Sequence, residues 1–369
     1  MNFKERLYLW GLLLFISIPI SAQLDFSGYF ENRLFVLGDS NTPWKRFNEK
    51  FSLGDYNRLR LMMKNSPIAD VTVHLAVDLF SFHGMIASPL GDSSFSAQKN
   101  KIEVLPDRLF GEIHFKGFDL TVGRQRIPLG VSYLWAPLDV FGRINVFEPK
   151  EEKPGVNAVR AYVPLGSASS LTGIISPDDH FETSSAAIRT QTRIGSVDAA
   201  LTLIHQGSRE LTTFGLDLRG ENQLGWWVEA AISRGSSFRA DKLVLGLDAT
   251  LPLGTRSLYW LSEFYYDSSG STFFEGYDFP ALARGERFTL ARTYLLSVLR
   301  LDAGEFLGLS VSYIGNLCDG SFILTPGMAW ELNQAVSFSG GLYLPFGTRE
   351  SEYNRSRMTI FYLWLKINF

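Results

Sequence analysis

Charged side chains recur along this chain in one kind of place, alternating with apolar neighbours. The arginines of this set are Arg58 and Arg60 in NRLRLMMK, Arg160 in NAVRAYVP, Arg189 and Arg193 in AIRTQTRI and Arg300 in SVLRLD. The carboxylates are Asp78 in HLAVDLFS, Glu112 in FGEIHF, Asp248 in LGLDATL and Glu263 in WLSEFYYD. Arg33, Arg219, Arg292, Glu31, Asp217 and Glu229 follow the same habit. Guanidinium and carboxylate groups on one surface either pair and brace each other or, where water reaches them, order and select polar solutes. That is binding and filtering chemistry. For bond-breaking chemistry the candidates are His74, His83, His114, His180 and His205, but no GxSxG or HExxH pattern accompanies them, and there is no metal cluster or phosphate loop. The sequence therefore points to a protein that is not an enzyme and needs neither metal nor cofactor.

The elements that must carry these charges are strands. In DVTVHLAVDLFS, Val71, Val73, Leu75, Val77 and Leu79 share one face and Thr72, His74, Ala76 and Asp78 the other. The same period of two returns in KLVLGLDATL, SVDAALTLIHQ, TFGLDLRG, GWWVEAAISR, SLYWLSEFYYD, FLGLSVSYIGN and AVSFSGGLYLP. About 18 such segments of roughly 10 residues can be counted, each the length a tilted strand needs to cross a bilayer. The connections alternate: KGFD, GSVD, PLGTRS, DAGE and LNQA are tight, while the segments around residues 40–50, 85–100, 128–155, 268–288 and 346–357 are long. Phe26, Phe30, Trp226, Trp260, Phe264, Tyr266, Trp330 and Phe361 fall on apolar parity near strand ends, as an interfacial girdle requires.

Composition agrees. Lys plus Arg number 35 against 38 Asp plus Glu, so there is no basic excess for nucleic acid. Cys318 is the single cysteine, which leaves no disulfide framework or thiolate site. MNFKER, an apolar run and SAQ form a secretory signal peptide by pattern, giving residues 1–22 as signal and 23–369 as the exported domain.

The chain ends on IFYLWLKINF, with Phe361, Leu363, Leu365, Ile367 and Phe369 at every second position. This resembles the C-terminal signal by which the insertion machinery recognises bacterial outer-membrane barrels. The layout of strands and loops is similar to porins and to alginate-export-type channels, and LTVGRQRIPLG followed by PLDVF also resembles stretches of such exporters. The resemblance implies an all-β fold, a transmembrane antiparallel β-barrel of about 18 strands with long extracellular loops. It also implies location in the cell outer membrane, with outer-membrane lipids and the barrel-insertion machinery as partners. The expected function is a channel for passive diffusion of small polar or anionic solutes. The alternatives are an exporter of an acidic exopolysaccharide and a non-conducting assembly or binding barrel.

On that reading Arg58, Arg60, Asp78, Glu112, Arg160, Arg189, Arg193, Asp248, Glu263 and Arg300 line the pore. The segment PLGVSYLWAPLDVFGRINVFEPKEEKPG follows the fifth strand and is unusually apolar for a loop facing water. Folded inward, it becomes a constriction carrying Trp135, Asp139, Phe141, Arg143, Glu148, Glu151 and Glu152, with its carboxylates opposite wall arginines. Arg124 and Arg126 share the parity of Leu120 and Val122, so they face outward unless Gly123 marks a bulge.

Overall fold

The computed structural model describes residues 24–39, 51–84, 101–141, 153–178, 183–236, 238–283, 286–355 and 358–369; the expected signal segment lies outside them. Alternation of apolar and polar residues gives 18 strands: β1 (Leu24–Asp39), β2 (Phe51–Ile68), β3 (Val71–Gly84), β4 (Lys101–His114), β5 (Asp119–Gln125), β6 (Val156–Pro164), β7 (Ser169–Ser176), β8 (Ser185–Ile194) and β9 (Val197–Gln206) form the first half. The second half is β10 (Leu211–Glu221), β11 (Gly225–Gly235), β12 (Arg239–Leu253), β13 (Arg256–Asp267), β14 (Thr293–Asp302), β15 (Leu307–Asn316), β16 (Phe322–Glu331), β17 (Val336–Phe346) and β18 (Met358–Asn368). Each strand pairs with the next, and β18 pairs antiparallel with β1, so the sheet closes into a barrel without an edge. One end carries turns of two to four residues, such as 69–70, 195–196 and 254–255, while the long connections are at the other. No helix among the described residues is long and apolar enough to cross a membrane.

The barrel comprises two compact units. One contains the chain up to Ser27, Leu61–Asp78 and Leu105–Leu245; the other contains Gly28–Arg60, Leu79–Val104 and Gly246–Phe369. In the first, Ala200, Thr202 and Ile204 of β9, Thr213 and Asp217 of β10, and Glu229 and Ala231 of β11 are buried. Their neighbours Leu201, Leu203, Phe214, Leu216 and Ile232 are exposed. An apolar face this continuous belongs against hydrocarbon rather than water. It stops at a polar row where His205 Nδ1 meets Thr212 Oγ1 at 3.2 Å and the Arg234 guanidinium donates to Asp241 at 2.6 Å. In the second unit, Glu31, Arg33, Tyr56, Arg58, Arg60, Leu261 and Glu263 face inward and are buried, while Leu53, Leu299 and Leu363 are exposed on the other face. There too the outward parity carries a polar row, Asn32 donating to Asn57 at 2.8 Å and Asn57 to Ser81 at 3.3 Å. Mutual hydrogen bonds lower the cost of holding such groups at the border of an apolar band.

The last residue takes part in the closure. Phe369 N–H donates to Gly28 O and Gly28 N–H to Phe369 O, both at 2.9 Å. The Phe369 ring covers Gly28, where an added Cβ would lie 2.8 Å from the ring and 2.4 Å from Arg60 O. Phe361, Leu363 and Ile367 share its outward parity. Deleting Phe369 is expected to lower membrane assembly in cells far more than refolding into detergent, because the lost contact amounts to at most about 3 kcal/mol. Quantifying folded barrel by its heat-modifiable mobility in both settings checks this; equal defects would reduce the residue to a packing role.

Candidate functional site

The alternation of β5 does not stop where its hydrogen bonding does. Thr121 and Gln125 are buried at every second position with Gly123 between them, and the series continues through Ile127 and Leu129, while Arg126 and Pro128 between them are exposed. The chain from 126 to 141 thereby carries an apolar edge onto the inward parity of the wall. Ile127, Leu129 and Leu138 form one cluster with Ala158 of β6, Ile174 of β7, Ala187 of β8, Ile204 of β9 and Ala231 of β11, and Val140 and Phe141 pack against it. Three buried aliphatic side chains contribute roughly 1.5–3 kcal/mol each. The wall makes space by presenting alanine and glycine. A Cβ on Gly215 of β10 would lie 2.2 Å from Leu138 Cδ2, so only glycine leaves room for that side chain. Leu134 and Trp135 are buried as well.

A wall carboxylate holds the loop backbone. Glu229 of β11 is fully buried, and its Oε2 accepts from Val131 N–H at 2.9 Å, Ser132 N–H at 3.1 Å and Ser132 Oγ at 2.7 Å. Its Oε1 accepts from Leu138 N–H at 2.9 Å. Gly130, at φ 85°, lets the chain turn across this carboxylate: a Cβ there would stand 2.4 Å from Oε2. A carboxylate taking several N–H bonds is among the stronger polar anchors available in a dry site.

Of the loop carboxylates expected to oppose wall arginines, Asp139 alone is among the described residues. Asp139 pairs with Lys153 of the same connection. Burial nevertheless holds the Asp139 carboxyl above the usual range, with Lys153 and Arg126 pulling the other way. The returning chain is tied to β4, with Gly155 N–H donating to Asp107 at 2.9 Å and Arg108 donating to Lys153 O at 3.0 Å. Arg143, Glu148, Glu151 and Glu152 lie outside the described residues.

The predicted pore-lining residues separate by environment. In the first unit, Arg160 and Glu112 keep 32% and 29% of their side chains exposed at a separation of 3.9 Å, and His74 meets Glu112 at 3.3 Å. Arg189 forms a two-pronged pair with Asp217 at 2.6 and 2.8 Å and also donates to Thr202. Arg193 is exposed and paired with Asp198 at 2.6 Å. Asp78 is buried. In the second unit Arg58 and Arg60 are buried rather than presented to open water. Arg58 lies 5.5 Å from the Tyr29 ring and 5.4 Å from Phe80, and Arg33 lies 5.1 Å from Tyr56 and 4.5 Å from Trp364. Stacking on rings holds such cations flat. Glu263 is fully buried, Asp248 accepts from the Tyr259 hydroxyl at 2.9 Å, and Arg300 is half-exposed beside Asp302 at 3.5 Å. Pairing runs through Gly123 without an inserted residue on either side, so Gly123 is no bulge and Arg124 keeps the parity of the exposed Val122.

No protein-family model matches the chain, and no curated protein is significantly similar to it. Solved structures are similar over nearly the whole length. OccK9 (OpdG) of Pseudomonas aeruginosa superposes with a TM-score of 0.62 at 10% identity, covering 94% of this chain and 98% of that one. Acinetobacter baumannii OccAB1 gives 0.61 at 8% identity, with 95% and 98% covered. Wzi of Escherichia coli, described as an outer-membrane protein involved in group 1 capsule assembly and a carbohydrate-binding β-barrel, gives 0.56 at 13% identity, with 99% and 88% covered. The fold is that of an outer-membrane, porin-like barrel of 18 strands.

Proposed function

We propose that the protein is an outer-membrane channel through which small polar or anionic solutes diffuse, with the loop at 126–141 as its constriction. The observation that carries this reading is the seating of that loop on the inward parity of the wall by Glu229 and the Leu138 cluster. A wide barrel whose bore is narrowed from within by one connection filters solutes by the charges left in contact with water. Arg160 and Arg193, with Glu112 and Asp198, are of that kind; Arg58 and Arg60 stiffen the wall on which they lie. The outward apolar face, with its polar rows, suits the lipid partner, and the closing residues Phe361 to Phe369 suit recognition by the insertion machinery.

Single-channel recording in planar bilayers tests the proposal. The expected result is an open channel with weak anion preference. Arg160→Gln should move the reversal potential toward cation selectivity, because Arg160 faces Glu112 across only 3.9 Å, well inside the roughly 8–10 Å over which salt screens charge. Neutralising Arg58 or Arg60 should instead lower thermal stability and leave selectivity nearly unchanged. The second reading, a non-conducting barrel that binds saccharide, is favoured by the complete burial of inward acids such as Glu229 and Glu263 and by the likeness to Wzi. Absence of conductance in a correctly folded preparation selects that reading over diffusion.

A further inference from the structure

In the unit that contains Gly246–Phe369, three connections at the long-loop end meet around one buried carboxyl group, that of Glu352. They link β13 to β14, β15 to β16 and β17 to β18. Glu352 Oε2 accepts from the Tyr294 hydroxyl at 2.7 Å and from Asn316 Nδ2 at 2.7 Å. The same Asn316 amide also faces Asp319 Oδ2 at 3.2 Å and the Tyr277 hydroxyl oxygen at 2.9 Å. An amide nitrogen has two hydrogens, so these three acceptors compete for it. Asp319 in turn accepts the Glu352 backbone N–H at 2.8 Å and both the N–H and the hydroxyl of Ser321, whose oxygen takes Tyr353 N–H at 3.3 Å. The Tyr294 hydroxyl also receives Leu290 N–H and Ala291 N–H, which brings the β13 to β14 connection into the same node.

We propose that this node is a proton-dependent latch: with Glu352 protonated the three outer connections are held together, and with Glu352 ionised they release. The geometry argues it. The groups facing the Glu352 carboxyl from the packed elements are Tyr294 of β14, Asn316 at the end of β15 and Asp319 of the following connection, with the phenols of Tyr277 and Tyr353 close by. Among the described residues facing this carboxyl none is a cation. Arg355, three residues on, is turned over the Phe279 ring at 4.4 Å. Ionising Glu352 therefore sets a second negative charge beside Asp319 in a dry site, with one amide and one phenol to compensate.

Burial, with Asp319 adding to it, pushes the Glu352 carboxyl up to about 7 despite its two hydrogen bonds. For an acid whose folded value is raised, the contribution to the latched state is complete below the ordinary carboxylate range. It declines as pH rises toward 7 and is lost above it. The latch thus opens on the alkaline side of neutrality.

Arg349 and Arg355 flank Glu352 and provide the readout, since trypsin cleaves after them once the connection is free. Cleavage of the folded barrel in detergent is measured at pH 6 and pH 8, each rate divided by that of a denatured control at the same pH. The wild type should be cut at least tenfold faster at the higher pH. Glu352→Gln, which cannot ionise, should stay protected at both, and Asp319→Asn, which removes the neighbouring charge and brings the Glu352 carboxyl nearer its ordinary range, should shrink the difference between the two pH values. Equal normalised rates for the wild type at the two pH values overturn the latch, as does a Glu352→Gln barrel that keeps the wild-type pH dependence. If Glu352→Gln does not fold, the wild-type comparison alone decides.

Discussion

Glu229→Ala is expected to unseat the 126–141 loop while leaving the barrel wall standing. The substitution leaves Val131, Ser132 and Leu138 with backbone N–H groups that have lost the acceptor they share in the folded protein. Each orphaned buried donor costs about 1–3 kcal/mol. The strand pairs of β11 with β10 are backbone bonds that the side chain does not enter, so the wall has no corresponding loss. Single-channel conductance should rise, as it should on shortening the loop between Leu134 and Phe147, and trypsin should cleave faster after the exposed Arg126 once the backbone around it is freed. Glu229→Gln should be intermediate. Its carbonyl oxygen can still take the Val131 and Ser132 bonds, but its amide then turns a donor toward the Leu138 N–H. An open channel whose conductance is the same with and without Glu229 would place the constriction elsewhere.

The strands were legible because the bilayer imposes a single rule, apolar outward at period two, on every crossing. The burial of the loop's apolar residues was legible for a related reason: Leu134 and Trp135 are too apolar for a segment facing water, and both are buried. The partner that seats the loop was not. Glu229 looks like any other inward acid, and its distance from Val131 in sequence hides the bond; the available signal was Gly130 in the loop together with Ala187, Gly215 and Ala231 on the strands, a wall left bare where something must lie against it. The arginines illustrate the same limit. Parity puts Arg33 and Arg58 on the face whose residues are buried, but their stacking depends on cross-strand register, such as Arg33 opposite Trp364, which periodicity does not contain. Asp139 pairs within its own connection because the chain doubles back, and no pattern of spacing announces that turn.

The fit of Leu138 against Gly215 allows the seat to be tested by size alone, without touching a charge. Gly215→Ala puts a methyl group where Leu138 Cδ2 would be 2.2 Å away, and Leu138 is fully buried, so the loop must shift or lift. Overpacking of this kind costs about 1–3 kcal/mol. Leu138→Ala removes the obstructing branch and opens a cavity under the loop, at a cost of about 2–5 kcal/mol. The two changes are complementary, because the new methyl group occupies part of the space the leucine vacates. The double variant should therefore be more stable than the sum of the single losses implies, with a coupling of about 0.5–3 kcal/mol, as for residues in contact. Thermal unfolding of all four proteins in one detergent measures that coupling. Conductance should follow it: raised in Gly215→Ala, where the loop is displaced, and lower again in the double variant, where it can settle. Strict additivity in stability would mean that Leu138 does not rest on Gly215 in the membrane protein. Coupled stability with conductance unaffected in all four would keep the contact and remove the loop from the conduction path.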